Sequence, residues 1–321
     1  MKKVYVTEPI HEKAQAYLAE HFEVIQGAST KKEEILQKAE GCDAMLIRSA
    51  KVSADLMEAL PGLRVIAKHG VGVDNVDLKA ASERGILVVN APFSNLNAVA
   101  EHTVALMMAL PKHLAAMDRL TRQGGFSRRG EFVNEELAGK TVGFVGLGKI
   151  ARKIARKLSG MGMNILASDP YVSAGIAAAC GVRLCSREEM FRESDFVSLH
   201  TPLLPETEKM ANREFFRAMK QGSYFINVSR GPVVDEEALV EALQSGWLAG
   251  AALDVYDPEP PRPDNPLFAM DQVILTPHNA ALTDQALLAM AMDSAKGICD
   301  VLEGRRPEFL VNPAVWEKRE R

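Results

Sequence analysis

Cysteine, tryptophan and tyrosine are scarce in this chain, with 4, 2 and 5 copies among 321 residues. Cys42, Cys180, Cys185 and Cys299 show no CxxC spacing and are too few for a disulfide framework. No metal site is therefore expected, and the thiols read as reduced and cytosolic. Long apolar runs are also missing: none approaches the ~18 residues of a membrane span, and MKKVYVTEP has no signal-peptide core. Nor is there an excess of charge. A net charge of −4 gives no electrostatic reason to expect nucleic acid or an anionic membrane as a partner. A cytoplasmic protein is expected.

What is present is an ordinary globular composition, 47% hydrophobic and 25% charged, in a chain long enough for two domains. Its organising stretch is TVGFVGLGKIARKIARKLSGMGMNILASDP, residues 141–170. Thr141 to Val145 reads as a buried strand, followed by a turn with Gly146, Gly148 and Ala151 in the pattern G-x-G-x-x-A. Ile150, Ile154 and Leu158 then form one apolar helix stripe, and a second strand, Asn164 to Ser168, ends at Asp169. Gly146 permits the tight turn, Gly148 lets a pyrophosphate approach the backbone, and Ala151 lets the helix pack close to the strand. The helix N-terminus faces the phosphates. Asp169, about 20 residues on, is placed for the adenosine ribose hydroxyls and would repel a 2′-phosphate, so NAD is expected over NADP.

Residues 1–97 alternate strand and helix signals. Strands are expected at Lys3–Val6, Ala44–Ile47, Val65–Ala67 and Ile86–Val89, with helices at 14–22, 32–39 and 54–60 and a short one ending at Arg84. Such alternation implies a parallel sheet covered by helices. Without a glycine fingerprint, this half reads as a substrate domain. Asn95 to Arg122 reads as one long helix or two broken near Pro111, followed by a polar loop at 124–130. Beyond Gly181 the rhythm resumes, with strands expected at 182–184, 196–199, 223–228, 249–253 and 273–275. A last helix, 284–303, could return the chain to the first domain.

Three polar residues stand just past strands in this second half: Arg230, Glu259 and His278. Ligand crevices of open α/β sheets lie outside the carboxyl ends of the strands, so the three placements point to one cleft. Arg230 could grip a carboxylate bidentately, His278 could carry a proton near neutral pH, and Glu259 could orient the imidazole and stabilise its charged form. Together they suggest hydride transfer between a nicotinamide and a 2-hydroxy or 2-oxo acid. The plainer alternative for each is a solvated or structural side chain.

The motifs VGLGKIA (145–151), NVSRGPVVDEEAL (227–239), LDVYDPEP (253–260), TPHNAA (276–281), KHGVGVDNVD (68–77) and AVAEHTVALMM (98–108) together resemble the D-2-hydroxyacid dehydrogenase family over nearly the whole chain. The resemblance implies an α/β fold of two Rossmann-like doubly wound parallel-sheet domains. A flavodoxin-like substrate domain, 1–97 plus 287–321, would enclose an inserted NAD-binding domain, 98–286. It implies catalysis by Arg230, Glu259 and His278, with Gly70, Val71 and Gly72 binding the substrate carboxylate beside Arg230. It also places Thr103, Lys149, Ile150, Asp169 and Pro170 around NAD. His200, Thr201, Pro202 and Thr207 join them, as do Val228, Ser229, Asp254 and Ala280. A homodimer built on the nucleotide domain and the segment around 98–140 is implied too.

Phosphoglycerate dehydrogenases and hydroxypyruvate or glyoxylate reductases are the members most similar. Arg48 and Ser49 match the phosphate-side substrate loop of the former, but Ala50 replaces a second arginine common there; Lys51 and Lys68 are possible substitutes. Glu259 differs from the glutamine typical of formate dehydrogenases. The competing reading is a catalytically silent NAD(H) sensor, like the related C-terminal-binding corepressors, which keep the same three residues.

Overall fold

A computed structural model describes residues 1–319. The chain divides into two compact units: Met1–Asn95 together with the chain from Leu282 onward, and Leu96–Ala281. The divisions therefore fall at 95/96 and 281/282, against an expected 97/98 and 286/287. Glu320 and Arg321, included in the expected substrate domain, lie outside the described residues.

The first unit is built on β1 (Lys3–Val6), β2 (Glu23–Gln26), β3 (Ala44–Ile47), β4 (Val65–Lys68) and β5 (Leu87–Val89). All pair in parallel in the order β2-β1-β3-β4-β5. This is the flavodoxin-like doubly wound order. Strand β3 is buried along its whole length, as a central strand covered on both faces must be. One face packs on the helix Asp284–Leu302 through Ala291, Ala295 and Ile298, and the other on Ile35, Leu56 and Met57. Gly297 makes the first packing close: a Cβ there would lie 2.9 Å from Val89 Cγ2. Edge strand β2 escapes a sequence reading because it is four residues long with exposed Glu23 and Gln26 at its ends.

The second unit carries β6 (Thr141–Val145), β7 (Asn164–Ser168), β8 (Arg183–Leu184), β9 (Phe196–Leu199), β10 (Ser223–Asn227), β11 (Leu248–Leu253) and β12 (Val273–Leu275). They form one sheet in the order β12-β11-β10-β9-β6-β7-β8, parallel throughout. The helix Lys149–Ser159 buries Ala151, Ile154, Ala155 and Leu158 against one face, each fully buried Leu or Ile contributing roughly 1.5–3 kcal/mol. Helices Arg187–Glu193, Arg213–Ala218 and Glu236–Gln244 cover the other face. Ser186, Asn212 and Asp235 cap them by accepting from backbone N–H groups of the first turn.

The segment 95–122 resolves into two helices, Leu96–Ala109 and Leu114–Arg122. Pro111 lacks the N–H needed to continue the first, and His113 takes a left-handed φ of 47° at the junction. The expected loop at 124–130 contains a 3-10 helix, Phe126–Glu131. Short helices Ala174–Ala178 and Pro313–Arg319 had no clear periodic signal.

Candidate active site

In the second sheet the strand order turns between β6 and β9, where the loops leaving the two strands diverge. Gly146 sits there with φ +91°, and a Cβ on it would come 2.8 Å from the His200 carbonyl oxygen. No other residue fits this turn without moving the His200 backbone. Gly148 caps the helix beginning with Lys149 and Ile150, and a Cβ added to it would meet open space. Asp169 follows β7. Its Oδ2 accepts from Leu147 N–H at 2.7 Å and its Oδ1 from Tyr171 N–H at 2.8 Å, so its carboxylate spans the glycine turn and the Pro170 turn.

The loop after β9 is equally constrained. Thr207 Oγ1 donates to Pro202 O at 2.7 Å and accepts from Leu204 N–H at 2.8 Å. The His200 ring lies 2.9 Å from Ser198 Oγ and edge-on to Phe144; burial pushes its pKa down to about 3, so it stays neutral. Thr103 is wholly buried and donates to Val99 O within its own helix. Thr201 Oγ1 and Asn279 Oδ1 are buried without a hydrogen-bond partner among the described residues. Buried polar atoms rarely stay unpaired, so both suit contact with a polar ligand. The tight glycine turn, the acidic residue after β7 and the Thr201 hydroxyl beside the turn fit a dinucleotide.

Arg230, Glu259 and His278 follow β10, β11 and β12. Asn227, at the end of β10, accepts from Ser229 N–H and Oγ and donates to Arg230 O at 2.9 Å, closing the turn beyond Val228. Gly231 comes so close to Tyr256 that a Cβ would lie 1.7 Å from its carbonyl oxygen. The Arg230 turn and the Glu259 loop are thereby pressed together. Glu259 Oε1 accepts from Tyr256 N–H at 2.9 Å, and its Oε2 lies 2.8 Å from His278 Nδ1. A carboxylate only accepts, so Nδ1 carries a proton and Nε2 is left for other chemistry. Burial pushes the Glu259 carboxyl up, but the His278 and Tyr256 hydrogen bonds and the His278 and Arg230 charges outweigh it and leave the pKa below its ordinary value.

His278 has a left-handed φ of 50°, a strained conformation for a residue with a Cβ. Its turn is held by the buried Asp254, which accepts from Thr276 Oγ1 and Asn279 N–H through Oδ1 and from Ala280 N–H through Oδ2. The Tyr256 hydroxyl donates to Thr276 O at 2.9 Å; burial first, then nearby carboxylates, push it up to about 12, so it remains a donor. The supporting roles of Asn227, Gly231, Tyr256 and Thr276 were not assigned from sequence, although all four lie at the ends of predicted strands or in the turns after them.

In the first unit, Gly70 follows β4 with φ +142°, its carbonyl accepting from Ala91 N–H, while Val71 O accepts from Asn90 Nδ2 at 2.7 Å. These bonds fix the Gly70–Gly72 loop. The Arg48 loop after β3 is occupied by an internal anion. Glu8 accepts from the N–H groups of Arg48, Ser49 and Ala50 and from Ser49 Oγ at 2.6 Å. Arg48 itself donates to Pro9 O at 3.0 Å, and Lys68 to Arg48 O. Glu8 had not been singled out as a functional residue. Among the described residues, no His, Cys, Asp and Glu cluster could hold a metal and no helix is long and apolar enough to cross a membrane.

The family profile "D-isomer specific 2-hydroxyacid dehydrogenase, NAD binding domain" matches residues 104–280. D-3-phosphoglycerate dehydrogenase of Methanocaldococcus jannaschii is 41% identical over 97% of this chain and 60% of its own length. Glyoxylate reductase of Korarchaeum cryptofilum is 37% identical over 99% of this chain and 98% of its own. The chain thus spans between half and three fifths of the phosphoglycerate dehydrogenases it matches. Among solved structures, D-lactate dehydrogenase of Aquifex aeolicus, complexed with NAD and lactic acid, is similar with a TM-score of 0.86 and 28% identity, over 97% of this chain and 99% of that one.

Proposed function

The chain belongs to the D-isomer-specific 2-hydroxyacid dehydrogenase family, and we propose that it is an NAD(H)-dependent oxidoreductase interconverting a small D-2-hydroxy acid and its 2-oxo acid. The observation that carries this reading is the Glu259–His278 pair, set in a strained turn with Arg230 on the adjoining loop. The unit Leu96–Ala281 is proposed as the nucleotide domain and the other unit as the substrate domain.

Bound at the Gly146–Gly148 turn, the nicotinamide cofactor would supply or accept the hydride. Arg230 would hold the substrate carboxylate, and in the first unit the Val71 and Gly72 amides are proposed as carboxylate donors. His278 Nε2 would give a proton to the substrate oxygen during reduction and take it back during oxidation. Glu259 would keep Nδ1 protonated and stabilise the imidazolium, and Asp169 would disfavour a 2′-phosphate on the cofactor. The substrate is proposed to be of the hydroxypyruvate, glyoxylate or 3-phosphoglycerate type. The Arg48–Ala50 amides are committed to Glu8, so recognition of a phosphate would fall to the side chains of Arg48, Lys51 and Lys68.

NADH oxidation across a panel of short 2-oxo acids, with and without phosphate groups, tests this reading. Turnover with at least one is expected; NADH binding without turnover on any would contradict it and favour the sensor. No observation favours the sensor. A homodimer is proposed on the exposed apolar Leu114, Phe126 and Val133 within the segment that the family uses for pairing, and light scattering would report a single-chain mass if it is wrong. The four free thiols suit a cytoplasmic location.

A further inference from the structure

We infer that His102 is a positioning residue for His278, acting through Thr276 and Asp254. This rests on reading His278 as the proton carrier. Thr276 Oγ1 lies 2.6 Å from Asp254 Oδ1. A carboxylate oxygen can only accept, so the threonine hydroxyl proton points at Asp254. The lone pairs of Thr276 Oγ1 then face His102 Nε2 at 3.1 Å, and that contact requires a proton on Nε2. His102 therefore donates to Thr276, and Thr276 donates to Asp254.

The same carboxylate accepts from Asn279 N–H at 2.9 Å and Ala280 N–H at 3.0 Å, the two amides that follow His278. A donor chain beginning on the helix Leu96–Ala109 thus ends on the backbone of the strained turn. Asp254 is 1% exposed, so its orientation depends on these donors rather than on water. His102 Nε2 also lies 3.7 Å from Asp254 Oδ1. Without the imidazole, Thr276 keeps a competing acceptor in Leu253 O at 3.5 Å, and its hydroxyl is free to turn away from Asp254. Ordering is then lost at the residues that hold His278 in its left-handed conformation. The link costs catalysis through geometry, because proton transfer requires Nε2 within hydrogen-bond reach of the substrate oxygen.

The test is amide hydrogen exchange on the full chain without cofactor, read at residues 276–281, alongside steady-state reduction of the 2-oxo acid. His102→Ala is expected to speed exchange at Asn279 and Ala280 about tenfold, the equivalent of one lost hydrogen bond. It should lower kcat about tenfold while KM for the oxo acid moves no more than about twofold. His102→Gln keeps an N–H donor near the position of Nε2 and should restore both. Thr276→Val breaks the same chain without touching His102 and should reproduce both losses, which covers the case in which His102→Ala folds poorly. Wild-type exchange in the variants, or faster exchange with kcat unchanged, would overturn the assignment. Wild-type turnover in His278→Ala would instead sink the proton-carrier reading, whatever the exchange result.

Discussion

In the first unit the strand order turns between β1 and β3, and the loops leaving those strands are joined by Glu8, whose carboxylate accepts from three consecutive amides. In the second it turns between β6 and β9, and the loops there carry a glycine that nothing larger can replace and a threonine hydroxyl without a partner among the described residues. Both sheets make the crevice in which open α/β folds bind ligands. One commits three loop amides to its own carboxylate, whereas the other leaves the Thr201 hydroxyl for a foreign group. Topology thus provides a place, and single side chains decide whether it is a ligand site or a structural clasp.

Substitution at Gly146 should have the largest effect. A valine there must adopt φ +91° with its Cβ against the His200 carbonyl, so NADH affinity measured by fluorescence titration should fall at least about a hundredfold. Retained affinity would mean that the turn does not form the nucleotide site. Asp169→Ala should relax the preference for NAD over NADP by about tenfold or more in kcat/KM, because the carboxylate that would repel a 2′-phosphate is gone. Unchanged discrimination would place the preference elsewhere.

At the filled switch point, Glu8→Ala should leave NADH binding intact and lower unfolding stability at pH 7 by about 2 kcal/mol, read from denaturant midpoints. Burial raises the Glu8 pKa, but the Ser49, Thr7 and Arg48 hydrogen bonds outweigh it and leave it below the ordinary 4.5. The contribution of Glu8 is therefore complete above about pH 4.5 and is lost as pH falls through the folded value, so wild type and variant should converge in acid. A gap that persists in acid would refute an ionic clasp. Lys51→Ala is expected to have the smallest effect, no more than about threefold in KM for a non-phosphorylated 2-oxo acid, since an exposed lysine contributes little to recognition.

Legibility in the sequence followed how local each device is. The glycine turn, its helix stripe and Asp169 lie within one strand-turn-helix-strand unit, so spacing alone brought them together. Arg230, Glu259 and His278 could be singled out as candidates because each stands a few residues past a strand. Glu8 was hidden because its partners lie across the sheet at Arg48–Ala50, and no period links a residue after β1 to a loop after β3. His102 was hidden for a similar reason: its partner Thr276 belongs to the far end of the unit. Strand β2 was missed because four residues with polar ends give almost no alternation.

If His278 moves the proton while the glycine turn holds the cofactor, removing the imidazole separates catalysis from binding. Turnover of the best 2-oxo acid and NADH affinity should be measured on the same His278→Ala preparation. A loss in kcat of about a thousandfold is expected, with NADH affinity within about threefold of wild type. Wild-type kcat in that preparation would contradict it.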